Sequence, residues 1–419
     1  MTLAQSHRLP SSGNKWIGFV IIGLILGACS PKLAPVTTAP RPVEKPVEVK
    51  KTPQVKVIPK PAEPHVTTVS MILPFELDKL DLTTSANLGN LSQSDLAVDY
   101  YQGFKLALDS LTSKGYNFKL QVYDSRDDAS QAHSLAINPK IRNSDLIVGP
   151  VFPESIKAFM GSMNGINKPI ISPLSPAAPS EFKNNNLVTI EPPLEYHAWR
   201  VAQYIKERVK PVKVFVLKSG YSDENKFIVP FKKAIDSLGK KQIQVIYLTV
   251  VKGNLSAIMP QLNNKVQNVF IVPATDQAFL GVTLSALDKL SQAYPVTLFG
   301  HPNWAKFSFL QAPMLQRLKT HITASDKIDY KADDTNQFIK SYRAAYHLEP
   351  SDFAIKGFDE GYYLGTLLST DADAFKKLDK LTYTGLHNQF KFVKTTNSGW
   401  VNTHVSIYQY QNFELKPVE

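Results

Sequence analysis

The chain has 419 residues, with 47 Lys and Arg against 36 Asp and Glu and a single cysteine, Cys29. This length allows two or three domains with a sizeable core. With 43% hydrophobic and 20% charged residues, the composition excludes a mainly disordered, collagenous or polytopic membrane protein. One cysteine cannot form an intrachain disulfide, and its place near the N-terminus excludes a Cys-rich zinc site or a Cys–His nucleophile in the rest of the chain.

Residues 1–28 have the layout of an export signal. Basic residues precede an apolar run at 16–26, which is shorter than the roughly 20 residues that span a bilayer. The segment Leu26-Gly27-Ala28-Cys29 resembles a bacterial lipobox, in which the cysteine is acylated and the leader is cut before it. We therefore expect a lipid on Cys29 that holds the protein on a membrane. The alternatives are an ordinary cleaved signal, or a short membrane anchor with an incidental cysteine.

A proline-rich segment follows at residues 29–65. It contains nine prolines interleaved with Val, Lys and Glu, and it has neither glycine nor aromatic residues. Such a composition cannot bury a core and favours an extended, semi-rigid spacer of about 3.1 Å per residue. We predict a tether, with a docking peptide for a partner or an anionic wall polymer as the alternative.

The net charge of +11 is concentrated in this N-terminal part of the chain. Residues 1–65 carry nine basic and three acidic residues, which leaves 38 basic and 33 acidic residues, or +5, for the other 354. The remainder shows no basic cluster interleaved with aromatic residues, so we expect no nucleic-acid partner.

From residue 66 onward, short apolar runs alternate with amphipathic stretches, a pattern typical of an α/β fold with parallel sheets. In a first series, strands are predicted at 69–75, 118–125, 145–150, 169–173 and 187–190, with helices at 95–111, 128–137 and 153–163. In a second series, strands are predicted at 212–220, 242–250, 268–274 and 296–302, with helices near 224–238, 254–264 and 276–290. In the tail, helices are predicted at 334–347 and 353–369, and strands at 384–396 and 406–418.

Two such series imply two α/β lobes, each a doubly wound and mainly parallel sheet, with several hinge crossings. We predict lobe 1 from residues 66–192 and 326–395, and lobe 2 from residues 193–325 and 396–419. Ligands of doubly wound sheets lie beyond the carboxyl ends of the strands, so a cleft between the lobes is the expected site. Closure about the hinge on a small ligand is the physical consequence.

This order of elements resembles the type I periplasmic binding protein family, in its leucine/isoleucine/valine-binding-like branch. The resemblance rests on the segments DYYQGFKLALDSL, DLIVGPVFPES, KPIISPLSP, VFVLKSGYSDEN and SDFAIKGFDEGYYLG, in this order. The segment DLIVGPVFPESIKAF and the C-terminal TGLHNQFKFVKTTNSGW also resemble envelope lipoproteins of this group, among them the C-terminal domain of penicillin-binding-protein activator lipoproteins.

Three serines are candidate ligand contacts in lobe 1. Ser155 lies in the first turn of a predicted helix, where free N–H groups and the helix dipole favour an anion such as a ligand carboxylate; the alternative is a plain helix cap. The resemblance implies that Ser172 and Ser175 hold the ligand from the loop after the next strand. A simple turn is the alternative for Ser175.

In lobe 2, the resemblance implies that Tyr221 is an aromatic ligand contact. Asn303 and Trp304 stand in GHPNW, where amino-acid binders tend to place an acidic residue for the ligand ammonium. Because this sequence has no acidic residue there, the ligand ammonium lacks its expected negatively charged partner. Trp304 either packs on a ligand or covers the hinge. Asp359 is predicted to anchor a helix rather than to bind ligand.

Catalytic motifs give no support for an enzyme. The sequence contains no HExxH, GxxxxGK[ST], GxSxG or GxGxxG motif, and no two histidines stand three or four residues apart. The acidic pairs 127–128 and 333–334 fall at predicted helix starts, where carboxylates complement the helix dipole.

We therefore expect neither a metal nor another cofactor, and two functions remain. One is a solute-binding lipoprotein that clamps a small polar, amino-acid or peptide-like ligand, with an ABC permease as partner. The other is a regulatory lipoprotein acting by protein contact, with a peptidoglycan synthase as partner. Both place the protein in the cell envelope. Ser30, following Cys29, favours the outer membrane under enteric-type sorting.

Overall fold

The computed structural model describes residues 66–79, 88–163, 165–371, 373–394 and 398–418. The predicted leader, Cys29 and the predicted tether therefore lie outside the described residues. Within the described ranges, no helix combines the length and the apolar character needed to cross a membrane.

The strands of the described residues form two sheets. The first has eight strands in the order β11-β12-β13-β5-β4-β3-β1-β2, and the second has seven in the order β15-β14-β10-β9-β8-β6-β7. The strand bounds in chain order are β1 Thr67–Leu73, β2 Phe118–Asp124, β3 Leu146–Val148, β4 Ile170–Ser172, β5 Leu187–Thr189, β6 Lys213–Lys218, β7 Gln244–Thr249, β8 Asn268–Val272, β9 Val296–Gly300, β10 His321–Ala324, β11 Thr382–Thr384, β12 Gln389–Lys394, β13 Trp400–Asn402, β14 Ser406–Gln411 and β15 Glu414–Pro417.

Helices cover the two sheets. Their bounds are α1 Leu88–Thr112, α2 Ala129–Ala136, α3 Pro139–Arg142, α4 Pro153–Ser162, α5 Pro179–Phe182, α6 Leu194–Tyr204, α7 Asn225–Leu238, α8 Gln277–Leu290, α9 Ala312–Arg317, α10 Asp333–Tyr346 and α11 Asp352–Thr370. Helices cover both faces of the lobe 1 sheet. In β1, the side chain of Met71 packs with α1 and α11 on one face, whereas that of Ile72 packs with α2 and α4 on the other. The structure thus confirms an α/β fold of two lobes, each with a helix-covered sheet.

All three chain crossings between the lobes leave a sheet at its carboxyl edge. Residues 190–193 follow β5 into lobe 2, residues 325–332 follow β10 back into lobe 1, and residues 403–405 follow β13 into lobe 2. Strand β13 runs parallel to β5, and β14 is antiparallel to β10. The carboxyl edges of the parallel strands in both sheets therefore meet at the hinge.

The predicted boundary at 395/396 is wrong by several residues. Strand β13 pairs with β12 and β5, so Trp400–Asn402 belongs to the sheet of lobe 1 rather than to lobe 2. The physical reason is burial: all three β13 residues are buried against lobe 1. The predicted helix near 254–264 is a 3₁₀ helix at Ser256–Gln261, and Pro260 within it explains the short length.

Helices α1 and α11 pack backbone to backbone at the centre of lobe 1. A Cβ added at Gly357 would lie 2.2 Å from the carbonyl oxygen of Tyr100, and one at Gly103 would lie 1.9 Å from that of Ala354. Glycines at these positions let the backbones of the two helices come into contact, which any side chain would prevent.

We expect Gly357→Ala to destabilise the protein, because the added methyl group would force two packed helices apart. Overpacking of this kind costs about 1–3 kcal/mol. The matched control is Gly281→Ala in α8, where a Cβ meets nothing within 4 Å. It should stabilise the protein by about 0.5–1 kcal/mol through helix propensity. Denaturant unfolding of both variants measures the difference, and equal effects would contradict the packing argument.

Candidate functional site

Ser155 lies at the carboxyl edge of the lobe 1 sheet. It lies in the first turn of α4, just beyond the carboxyl end of β3, and is only 1% exposed. Its Oγ donates a hydrogen bond to Asp127 Oδ1 at 3.2 Å. The hydroxyl predicted to meet a ligand carboxylate is therefore already bound to a carboxylate of the chain itself.

Ser172 is the last residue of β4, and Ser175 lies on the loop that follows, at the same edge of the sheet. Both are buried, and Ser172 Oγ donates to the carbonyl oxygen of Ser175 at 3.3 Å. In this structure the hydroxyl of Ser172 thus stabilises its own turn. The three predicted serines of lobe 1 follow neighbouring strands and share one edge of the sheet.

Tyr221 extends from lobe 2 and is 65% exposed. Its loop is held by the buried Glu224, whose carboxylate accepts from Ser219 N at 3.0 Å, Ser219 Oγ at 2.8 Å and Gly220 N at 3.4 Å. The left-handed backbone of Gly220, with φ of 102°, completes the turn. A rigid loop therefore presents a free aromatic ring to solvent.

The neighbouring GHPNW segment divides into an exposed and a buried part. Asn303 is exposed, and its N–H donates to His301 Nδ1 at 3.1 Å. Trp304 is 1% exposed, and its Nε1 donates to the carbonyl oxygen of Ala274 at 2.9 Å. Its ring lies against Gly300, where an added Cβ would stand 2.2 Å away. In this structure Trp304 belongs to the core of lobe 2.

A buried ion triad joins two of the crossings to lobe 1. The ammonium of Lys356 on α11 lies 2.5 Å from Glu191 Oε1 and 2.6 Å from Asp326 Oδ2, and Ser325 Oγ donates to Glu191 Oε2 at 3.1 Å. Burial alone disfavours the charge of Lys356, but the two carboxylates raise its pKa above the ordinary value. Burial likewise opposes the charge of Asp326, yet the ammonium lowers the pKa of that carboxyl.

The buried acids beside the triad have structural roles. Asp359 is fully buried and accepts from Leu386 N and His387 N, each at 2.8 Å, and from His387 Nδ1 at 2.5 Å. This confirms the predicted anchor. Glu360 accepts from Tyr100 OH at 2.8 Å, and burial raises its pKa well above the usual range, which keeps the carboxyl protonated.

Two neutral histidines line the lobe 2 side of the hinge. His197 Nδ1 and Thr323 Oγ1 are 2.9 Å apart, and burial lowers the pKa of His197 to about 4. Burial, together with the neighbouring His197, also lowers the pKa of His301 to about 4. Both rings are therefore uncharged at neutral pH and offer hydrogen bonds rather than positive charge.

Two surface pockets of lobe 1 lie away from the predicted ligand contacts. Cavities of about 550 and 530 Å³ lie in lobe 1, and none of the six predicted ligand contacts lines either of them. Among the described residues, no three His, Cys, Asp or Glu side chains are placed to share a metal ion. The expected site between the lobes therefore rests on the crossings and on the edges of the sheets.

Comparison with known sequences decides the family. The periplasmic binding protein family profile matches residues 90–412, well over half of the chain. The chain belongs to the periplasmic binding protein family. No curated protein matches the sequence significantly.

Solved structures show that this periplasmic binding protein shares its fold with amino-acid binders and with a regulator. A putative branched-chain amino acid ABC transporter protein from Rhodospirillum rubrum matches with a TM-score of 0.60 and 15% identity, over 84% of this chain and all of that one. A substrate-binding protein from Desulfitobacterium hafniense in complex with Leu matches at 0.55 and 14%, with the same coverage. The C-domain of LpoA from Haemophilus influenzae, described as a regulator of PBP1A, matches at 0.55 and 12%, again with the same coverage.

Sequence reasoning did not identify the polar groups that join the lobes. Lys356 stands inside an apolar helical stretch, FAIKGF, and Glu191 stands between a strand and two prolines. The one sequence feature that could have indicated this ion triad is the charged Lys356 within an apolar stretch, because a charged side chain is buried only when it is paired. The partners of Lys356 lie 165 and 30 positions away in the chain, a separation that no local pattern reveals.

Proposed function

We propose that this protein is a lipid-anchored solute-binding protein of the cell envelope, which clamps a small polar, amino-acid or peptide-like ligand between its lobes. The observation that carries the proposal is the arrangement of the three crossings, which brings the carboxyl edges of both sheets together. The exposed Tyr221 and Asn303 stand at the lobe 2 edge, and Ser155, Ser172 and Ser175 stand at the lobe 1 edge. Ligand sites of α/β sheets lie at such edges.

The proposed anchor is a lipid on Cys29, with residues 29–65 as the tether and the outer membrane as its location. A permease of the ABC class is the proposed partner, in line with the transporter proteins that share the fold. The protein is proposed to act by binding and closure, without catalysis.

A second candidate is a regulatory role like that of the LpoA C-domain. Its support is specific: Ser155 is bound to Asp127, Ser172 is bound to the carbonyl oxygen of Ser175, and Trp304 is buried. Three of the six expected ligand contacts are therefore already engaged within the protein. Under this alternative the fold is retained, and the protein acts on a peptidoglycan synthase by surface contact.

A thermal-shift screen of the full chain separates the two roles. We expect at least one amino acid, peptide or wall fragment to stabilise the protein, by about 2.7 kcal/mol at 100 times its dissociation constant. Tyr221→Ala should abolish that stabilisation by removing the exposed aromatic contact. Tyr247→Ala, on β7, should preserve it. The absence of any shift, together with capture of a purified peptidoglycan synthase, would support the regulatory role instead.

A further inference from the structure

Charge is divided unequally between the two lobes. Residues 194–324 and 406–419, which form lobe 2, carry 18 basic and nine acidic residues, a net charge of +9. The other residues from 66 onward carry 20 basic and 24 acidic residues, a net charge of −4. An asymmetry of this size between two parts of a chain indicates that the basic part meets a partner of opposite charge.

Six lysines of lobe 2 lie together at the amino edge of its sheet, away from the hinge. They stand in the loops that enter β6, β7, β8 and β10, or at the first residue of β6, and they are Lys210, Lys213, Lys240, Lys241, Lys265 and Lys319. Five of them are exposed, and Lys213 is half-buried. The strand order β10-β9-β8-β6-β7 sets these loops side by side over about 20 Å. We call this surface the basic tip of lobe 2.

Carboxylates of the protein do not neutralise the basic tip. Within the described ranges, none of the six lysines forms an ion pair, whereas Arg317 of the same lobe is paired with Asp288 at 2.7 Å. The loops that carry the lysines contain no acidic residue, and Glu414, at the start of β15, is the acidic side chain beside them. The positive charge of the tip is therefore available to an anionic partner.

Three large apolar side chains are exposed among these lysines. Val212 directly precedes β6, Val266 precedes β8, and Phe413 lies in the turn between β14 and β15; each is more than half exposed. That turn is at the same edge of the sheet, because β14 is antiparallel to β10. Phe413 has a left-handed φ of 64°, and its N–H donates to Gln316 Oε1 at 2.9 Å. The turn therefore presents the aromatic ring to solvent from a backbone conformation that is unusual for a bulky residue.

Helix dipoles explain only part of the basic tip. Lys210 and Lys240 follow helix ends, where cations complement the dipole, but Lys213 lies in a strand. A hydrated acidic polymer would pair with the lysines and leave the apolar side chains in water. A phospholipid surface accounts for both features, because apolar side chains at loop tips enter the interface while the surrounding lysines reach anionic headgroups.

We propose that the basic tip of lobe 2 docks on an anionic phospholipid surface. Val212, Val266 and Phe413 enter the interface, and the six lysines contact the phosphate groups of the lipids. The tip lies at the amino edge of the sheet, whereas the crossings lie at the carboxyl edge, so docking leaves the cleft between the lobes unobstructed. The proposal goes beyond the solute-binding function and does not depend on it.

Co-sedimentation with vesicles tests the docking. Residues 63–419 form one compact unit that contains both sheets and their helices, and this fragment lacks Cys29, the predicted leader and the basic tether, which would bind vesicles themselves. We expect at least tenfold stronger binding to phosphatidylcholine vesicles with about 30% phosphatidylglycerol than to phosphatidylcholine alone. Lys240→Gln combined with Lys241→Gln should weaken that binding at least tenfold. The matched control, Lys331→Gln with Lys340→Gln, removes two exposed lysines from lobe 1 and should preserve it.

Fluorescence separates lipid from other acidic partners. In a Phe413→Trp variant, the added emission should shift to the blue on anionic vesicles and be quenched by brominated acyl chains, because the ring leaves water. Equal binding to the two kinds of vesicle, or unchanged binding in the double lysine variant at the tip, would overturn the proposal. Equally tight binding to soluble poly-L-glutamate, without a blue shift on vesicles, would assign the tip to an acidic protein and overturn lipid docking.

Discussion

Replacement of Lys356 by methionine should destabilise the protein by about 3–5 kcal/mol, because it leaves the buried carboxylate of Glu191 and the half-buried carboxylate of Asp326 without their cation. The side chains of Lys356 and Glu191 are only 10% and 13% exposed, so solvent screens their interaction weakly. Urea unfolding at neutral pH measures the change. The control is Lys376→Met, which breaks an exposed ion pair with Asp373 in the same lobe and should leave stability unchanged.

The Lys356→Met deficit should depend on pH. In the wild type, the pKa of Asp326 is lowered on folding, so its contribution is present above its unfolded pKa and is lost as pH falls through the folded value. The pKa of Lys356 is raised on folding, so its contribution is complete below its unfolded pKa and is lost only at very alkaline pH. The deficit should therefore be nearly constant between pH 7 and the ordinary carboxyl pKa of about 4, and should shrink as pH falls below it through the folded pKa of Asp326. A deficit independent of pH would contradict the triad.

Asp359→Ala should destabilise the protein by about 2–6 kcal/mol. The variant leaves the N–H groups of Leu386 and His387 without their acceptor, at about 1–3 kcal/mol for each buried group. The loop before β12 should then loosen from α11, with faster amide exchange at residues 385–388. Asp379→Ala, an exposed change in the same lobe, should stay within about 0.5 kcal/mol. Equal stability of the two variants would show that Asp359 is not an anchor.

The sequence predicts most of the fold because periodicity is a local property. The strand predicted at 118–125 is observed at Phe118–Asp124, and the helix predicted at 276–290 is observed at Gln277–Leu290. The strand His321–Ala324 was missed because it is only four residues long and includes a histidine and a threonine. It forms a strand because it pairs with β9 and β14, whose residues are distant from it in the sequence.

The candidate site was predictable in position but not in chemistry. The edge of lobe 1 follows from strand order, and Ser155 lies there as expected. Asp127 was assigned to a helix start together with Asp128, yet only Asp128 caps α2. A side-chain bond across 28 residues, held by left-handed backbone, has no signature in periodicity or composition. Trp304 shows the same limit, since its burial depends on Gly300 and on the carbonyl of Ala274.

Closure of the lobes on a ligand is the central claim, and a distance across the cleft tests it most directly. Cys29 is the sole cysteine, so in a Cys29→Ala variant spin labels attach only to cysteines introduced at the exposed Lys157 in α4 and Lys226 in α7. Pulsed electron resonance then measures their separation with and without the most stabilising compound of the screen. We predict a shorter and narrower distance distribution with ligand. An unchanged distribution at saturation would contradict the clamp.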